Sequence, residues 1–201
     1  MLLYKICLLG AESTGKSTLA GALSSVLRAY GYWAQATPEA LRVFCERFGR
    51  LPLVGDEPLI LKAQRCTELA IKRNPPGGET RTAGSKKPIF LFCDSSPLLT
   101  AFTSLWYFDD ASLLREGLDH QRSYFHCFLI EPSLLWQPDG IQRDGPLVRS
   151  KFHADLKDFL NAHRIPYQTV APKPDPVSKS SGQAKAMADQ LLAKVGLLRQ
   201  K

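Results

Sequence analysis

Nine residues near the start of the chain, Gly10-Ala-Glu-Ser-Thr-Gly-Lys-Ser-Thr18, have the types and spacing to hold a polyphosphate. Gly10, Gly15, Lys16 and Ser17 satisfy the pattern G-x-x-x-x-G-K-[ST]. Its glycines let the backbone turn tightly and aim successive amide N–H groups at a phosphate, and the helix that follows adds its positive end. Lys16 is then within reach of the β- and γ-phosphates, and the Ser17 hydroxyl can coordinate magnesium. Glu12, Ser13, Thr14 and Thr18 complete the expected cradle. With glycine near 7% of residues, a chance match is roughly 1 in 30,000 per position. The segment is therefore expected to bind a nucleoside triphosphate with Mg2+. A guanine-specific switch is disfavoured, because neither Asn-Lys-x-Asp nor an Asp-x-x-Gly after the third strand occurs.

Phosphate binding does not name an acceptor, so the remaining polar residues must. Asp94 closes an apolar run, where an acid can hold magnesium through water; capping the next helix is the alternative. Glu39 follows the second expected strand and can orient an attacking hydroxyl or accept its proton, or it can simply begin a helix. Arg42, one turn on, can pair with Glu39 or hold phosphate. The turn-rich stretch 132–150 suits a lid that brings Arg143, and less directly Arg149, to the charge on a transferred phosphoryl group. Catalytic candidates are thus Lys16, Glu39, Asp94 and Arg143, metal candidates Ser17 and Asp94, and Arg149 joins the nucleotide set.

These residues need a scaffold that brings strand ends together. Leu2–Leu9 is a nearly continuous apolar run, as in a strand covered on both faces. Lys16–Tyr30 repeats Leu19, Leu23 and Leu27 at helical spacing and stops at Gly31. Further strands are expected at Tyr32–Ala36, Ile89–Cys93, Tyr124–Ile130 and Pro166–Val170. Helices are expected at Glu39–Phe48, Pro58–Lys72, Pro97–Tyr107, Ala111–Arg122, Leu147–His163 and Gln183–Leu198, with a surface loop at 74–87. Alternation of strand and helix predicts an α/β P-loop NTPase fold: a parallel sheet of about five strands with helices on both faces, in one domain spanning 1–201.

Composition narrows the classes. At 201 residues, 44% hydrophobic and 22% charged, the chain reads as globular and soluble. The net charge of +7 is scattered, densest from Lys173 to Lys201, which argues against a nucleic-acid interface. Cys7, Cys93 and Cys127 fall within apolar strands and read as core residues of a protein in the reducing cytosol, and no stretch has the length of a membrane span. His120, His126, His153 and His163 lack metal-ligand spacing. Trp33, Trp106, Tyr107 and Trp136 can stack on a base, but apolar surroundings favour a core role.

Taken together, Gly10–Ser17, Glu39-Ala-Leu-Arg42, Phe92-Cys-Asp-Ser-Ser96, Trp136-x-x-Asp139-Gly140 and Ile165-Pro-Tyr167 resemble the nicotinamide riboside kinase domain of the bifunctional bacterial NAD-biosynthesis regulators, and the wider group of small P-loop ATPase/kinases. The resemblance runs from about Tyr4 to about Val170. It implies ATP- and magnesium-dependent phosphorylation of a ribosyl 5′-hydroxyl on a small nucleoside acceptor such as nicotinamide riboside. By resemblance, Lys16 and Ser17 bind ATP and magnesium, while Asp94 and Glu39 stand near metal and acceptor. Three features depart from the family: Ser96 replaces the second acid, the lid arginine falls one residue later at Arg143, and the 74–87 loop is longer. A P-loop ATPase or nucleotide-dependent regulator acting on a partner is the alternative.

Overall fold

In the computed structural model, residues 2–73, 87–138, 145–172 and 180–197 are described. Five strands, β1 (Leu3–Leu9), β2 (Trp33–Thr37), β3 (Ile89–Asp94), β4 (His126–Ile130) and β5 (Gln168–Val170), form one parallel sheet in the order β2-β3-β1-β4-β5. They alternate with α1 (Lys16–Ala29), α2 (Ala40–Phe48), α3 (Glu57–Arg73), α4 (Pro97–Phe108), α5 (Leu114–Gln121), α6 (Pro146–Ala162) and α7 (Ser180–Lys194).

Why β1 is a continuous apolar run is visible in its alternating side chains. Ile6 and Leu8 enter a layer shared with Leu19, Leu23 and Leu27 of α1 and Met187, Leu191 and Leu192 of α7. Cys7 and Leu9 enter the opposite layer with Leu98 and Phe102 of α4 and Phe152, Leu156 and Leu160 of α6. Each large side chain so buried contributes roughly 1.5–3 kcal/mol relative to exposure. A strand with a packed layer on both faces has no polar side to show. Burial also pushes the thiols of Cys7 and Cys93 well above their ordinary range, as befits inert core residues.

The chain crosses from β1 to β2, returns to β3 between them, then passes over β1 to β4. The order reverses around β1, so a crevice opens at the carboxyl ends of β1 and β3, where ligands bind in such sheets. Leu8 and Asp94 are register partners at that edge.

Several boundaries differ from expectation for local reasons. β2 starts at Trp33 because the Tyr32 N–H is still tied to the Leu27 carbonyl at the end of α1 (3.0 Å). α5 starts at Leu114 because Asp110 holds the preceding turn, accepting from the Ser112 N–H at 2.9 Å. β4 begins at His126, with Tyr124 drawn aside by its hydroxyl bond to Glu68 (2.6 Å). A single 3-10 turn, Val54–Asp56, precedes α3 and was not expected. α7 stops at Lys194, just before Gly196 takes a left-handed φ of 69°. The expected loop falls, but for Lys87, on residues 74–86, outside the described residues. No helix among the described residues is long and apolar enough to cross a membrane.

Candidate nucleotide and acceptor site

The loop between β1 and α1 is shaped by two glycines. Gly10 has φ 148°, and a Cβ there would come within 2.6 Å of the Ile130 carbonyl oxygen. Gly15 is left-handed at φ 83° and caps the N-terminus of α1 without a side-chain bond, leaving the first-turn N–H groups directed outward. Ser13 also holds a positive φ of 51°. The Thr14 hydroxyl donates to the Ala11 carbonyl at 2.9 Å. The Lys16 ammonium, only 7% exposed, donates to the carbonyls of Gly10 (3.0 Å) and Ala11 (2.7 Å), which holds it across the loop.

The segment after β4 closes against this loop from above. Trp136 Nε1 donates to Glu12 Oε1 at 2.9 Å, and the Gln137 N–H donates to Ser13 Oγ at 3.3 Å. Arg149, on the first turns of α6, is buried and donates through Nη1 to the carbonyls of Leu134 (3.0 Å) and Ser13 (3.4 Å). Arg149 is therefore beside the loop, as expected of a nucleotide-contacting residue. Arg143 and Asp139, with the rest of 139–144, lie outside the described residues.

A cavity of about 490 Å³ runs from Gly10–Thr18 to a second group of walls, formed by Glu39, Leu41 and Arg42, by Leu51 and Pro52, by Glu57 and Ile60, and by Thr100, Thr103, Tyr107 and Phe108 of α4. Glu39 is the N-cap of α2 but makes no side-chain capping bond; its carboxylate faces Arg42 Nε at 3.8 Å. Glu39 thus begins a helix, pairs with Arg42 and lines the cavity.

For Asp94 the structure separates the two readings. The helix cap is Ser96, whose hydroxyl accepts from the Leu99 N–H at 3.2 Å and is fully buried. Asp94 is 4% exposed, and its Oδ1 has no hydrogen-bond partner. Ser95, left-handed at φ 80°, reaches the cavity wall in its place. The residue at the family's second acidic position thus stabilises a helix end.

Sequence reasoning missed Glu57. It is the first residue of α3, 1% exposed, and its Oε1 has no hydrogen-bond partner. Burial pushes its carboxyl up to about 7, and the charge of Asp56 adds to the rise. The turn residues Gly55 and Asp56 and the Pro58 that follows marked only a helix start, and nothing periodic revealed that this acid faces inward.

The aromatics divide as their surroundings dictate. Trp106 packs on Phe152 and donates Nε1 to Asp155 at 2.8 Å, Trp33 packs against the Leu91 and Cys93 layer, and Tyr107 reaches the cavity. Among the histidines, His120 bonds Glu68 (3.0 Å), His126 bonds Gln168 (3.2 Å), His153 is buried in α6, and His163 lies against the Phe159 carbonyl (2.9 Å). Glu68 gathers Lys5 (2.9 Å), His120 and Tyr124 in a buried network away from the cavity. Burial alone would raise its carboxyl; the bond from His120 and the Lys5 charge outweigh that and hold it below the ordinary range.

A wholly parallel sheet with this loop at the carboxyl end of its central strand defines the α/β P-loop NTPase fold. Residues 5–175 match the family model described as an AAA domain, and the chain belongs to that family. No curated protein matches it by sequence. Among solved structures it is similar to NadR in complex with NR, with a TM-score of 0.71 and 18% identity over 100% of this chain and 54% of that one. NadR in complex with NAD and AMP-PNP gives 0.67 and 16% identity, over 100% and 52%. Thymidylate kinase from Ehrlichia chaffeensis gives 0.56 and 14% identity, over 96% and 100%. The chain spans about half the length of the NadR chains. At these identities the likeness is one of fold, and it bears out the resemblance to the nicotinamide riboside kinase group at that level.

Proposed function

We propose that this protein is an ATP- and magnesium-dependent kinase that phosphorylates the ribosyl 5′-hydroxyl of a nucleoside, with nicotinamide riboside the first acceptor to try. The observation that carries the reading is the single cavity joining Gly10–Thr18 to a second, carboxylate-bearing wall at Glu39 and Glu57.

In this reading the N–H groups of Gly10–Thr18 and the end of α1 hold the triphosphate, and Lys16 exchanges its loop carbonyls for β- and γ-phosphate oxygens. Ser17 and Asp94 would hold magnesium, which neutralises charge on those oxygens. The buried, unpartnered Asp94 Oδ1 fits that task. Glu39 orients the attacking hydroxyl and takes its proton, while Arg42 holds the carboxylate in place. Arg149 faces the charge on the transferred group, so catalysis comes from positioning and charge stabilisation.

The test is incubation with ATP, magnesium and a panel of nucleosides, read by mass spectrometry. A nucleoside gaining one phosphoryl group supports the kinase. Release of ADP without any phosphorylated acceptor supports instead an ATPase that regulates a partner. Lys16→Ala should lower transfer by at least about 100-fold, and near-normal activity in that variant would overturn the site.

A further inference from the structure

A carboxylate removed from water is costly unless a cation or hydrogen-bond donor meets it. Glu57 is buried without either: its Oε1 has no hydrogen-bond partner, and no cation pairs with it among the described residues. Its neighbour Asp56 is committed elsewhere, bound by Arg50 at 2.7 and 3.2 Å and by the Leu53 N–H at 2.8 Å. Arg42, on the wall of the same cavity, is directed to Glu39. The start of a helix favours an acid, but burial prevails at this one, because its carboxyl is pushed up rather than down.

The charges along the cavity are unevenly shared. Among its described lining residues the cations are Lys16, Arg42 and Arg149, and two of these are bonded to carbonyls at the phosphate-binding loop. The far end therefore carries two carboxylates, Glu39 and Glu57, against Arg42 alone, with apolar walls from Leu41, Leu51 and Ile60. A donor group on an acceptor would satisfy the orphaned oxygen there.

We propose that Glu57 is a specificity-determining residue for the acceptor: its Oε1 accepts a hydrogen bond from an N–H or O–H group on the part of the acceptor that does not react. This assignment rests on the kinase reading above. It differs from a purely structural role for Glu57 as the first residue of α3, which would leave acceptor preference unchanged.

The experiment uses the full chain with ATP and magnesium, and compares the wild type with Glu57→Met, which removes both acceptor oxygens at similar size, and Glu57→Asp. Nicotinamide riboside, adenosine and uridine serve as acceptors. Binding of a fluorescent ATP analogue checks that each variant folds; should Glu57→Met fail it, Glu57→Asp, which retracts the carboxylate by one methylene, carries the same comparison. The expected result is a rise of about 10- to 100-fold in KM for the acceptor the wild type uses, with kcat within about threefold and KM for ATP unchanged. An acceptor KM within about threefold of wild type, or an equal fall in kcat for every acceptor, would overturn the role of Glu57 while leaving the kinase intact. A wild type that phosphorylates no nucleoside overturns the kinase reading and this assignment with it.

Discussion

Glu57 also makes a prediction that needs no substrate. Its carboxyl has an ordinary value of 4.5 and is raised to about 7 in the fold, by burial first and by Asp56 second. An acid raised in this way holds its proton more tightly folded than unfolded, so the folded state loses stability as pH climbs from the unfolded value through the folded one. Across that interval each pH unit is worth about 1.4 kcal/mol, and the accumulated cost reaches about 3 kcal/mol by pH 8. Glutamine has nearly the same shape and no charge to bury. Glu57→Gln should therefore differ from wild type by under about 1 kcal/mol at pH 5 and exceed it in stability by about 3 kcal/mol at pH 8. Urea unfolding of both proteins at pH 5, 6, 7 and 8 reads this directly. In thermal unfolding the pH 8 difference corresponds to roughly 6–12 °C for a chain of this length. A difference that stays flat across the series, or a wild type that is the more stable at pH 8, would refute the claim that this carboxylate is buried without a partner.

Glu68→Gln should behave in the opposite sense. Because the Glu68 carboxyl is held below its ordinary range, its contribution is present above the unfolded value and is lost as pH falls through the folded one. The variant should lose about 1–3 kcal/mol at pH 7, where Lys5 and His120 no longer face a charge, and approach wild type as pH falls below the ordinary carboxylate range in the same urea series. Gly10→Ala should weaken binding of a fluorescent ATP analogue and lower stability by about 1–3 kcal/mol, since the new Cβ meets the Ile130 carbonyl and φ is unfavourable; unchanged affinity would argue against the strained turn. Ser96→Ala should cost about 1 kcal/mol in urea unfolding through loss of the α4 cap, with ATP-analogue affinity preserved.

The parts of this protein whose physics is local are legible in its residues alone. The phosphate loop is contiguous, so its glycines, Lys16 and Ser17 declare themselves within nine residues. The buried strands declare themselves too, because packing on both faces forces the unbroken apolar runs at β1 and β3, and Leu19, Leu23 and Leu27 trace the buried stripe of α1. From that alternation the parallel α/β fold followed. Which polar residues from distant segments share a space depends instead on how the chain packs. Asp94 and Ser96 are two positions apart and equally able to cap a helix; packing assigned the cap to Ser96 and left Asp94 Oδ1 without a partner. Glu39 and Glu57 are 18 positions apart, and no period links them; they line one cavity because α2, which follows β2, packs through Phe44 and Cys45 on Ile60 of α3. Glu57 carries the plainest lesson. Its type and place in the chain match those of any acid at a helix start, and only the walls that exclude water from it give it a carboxyl raised to about 7.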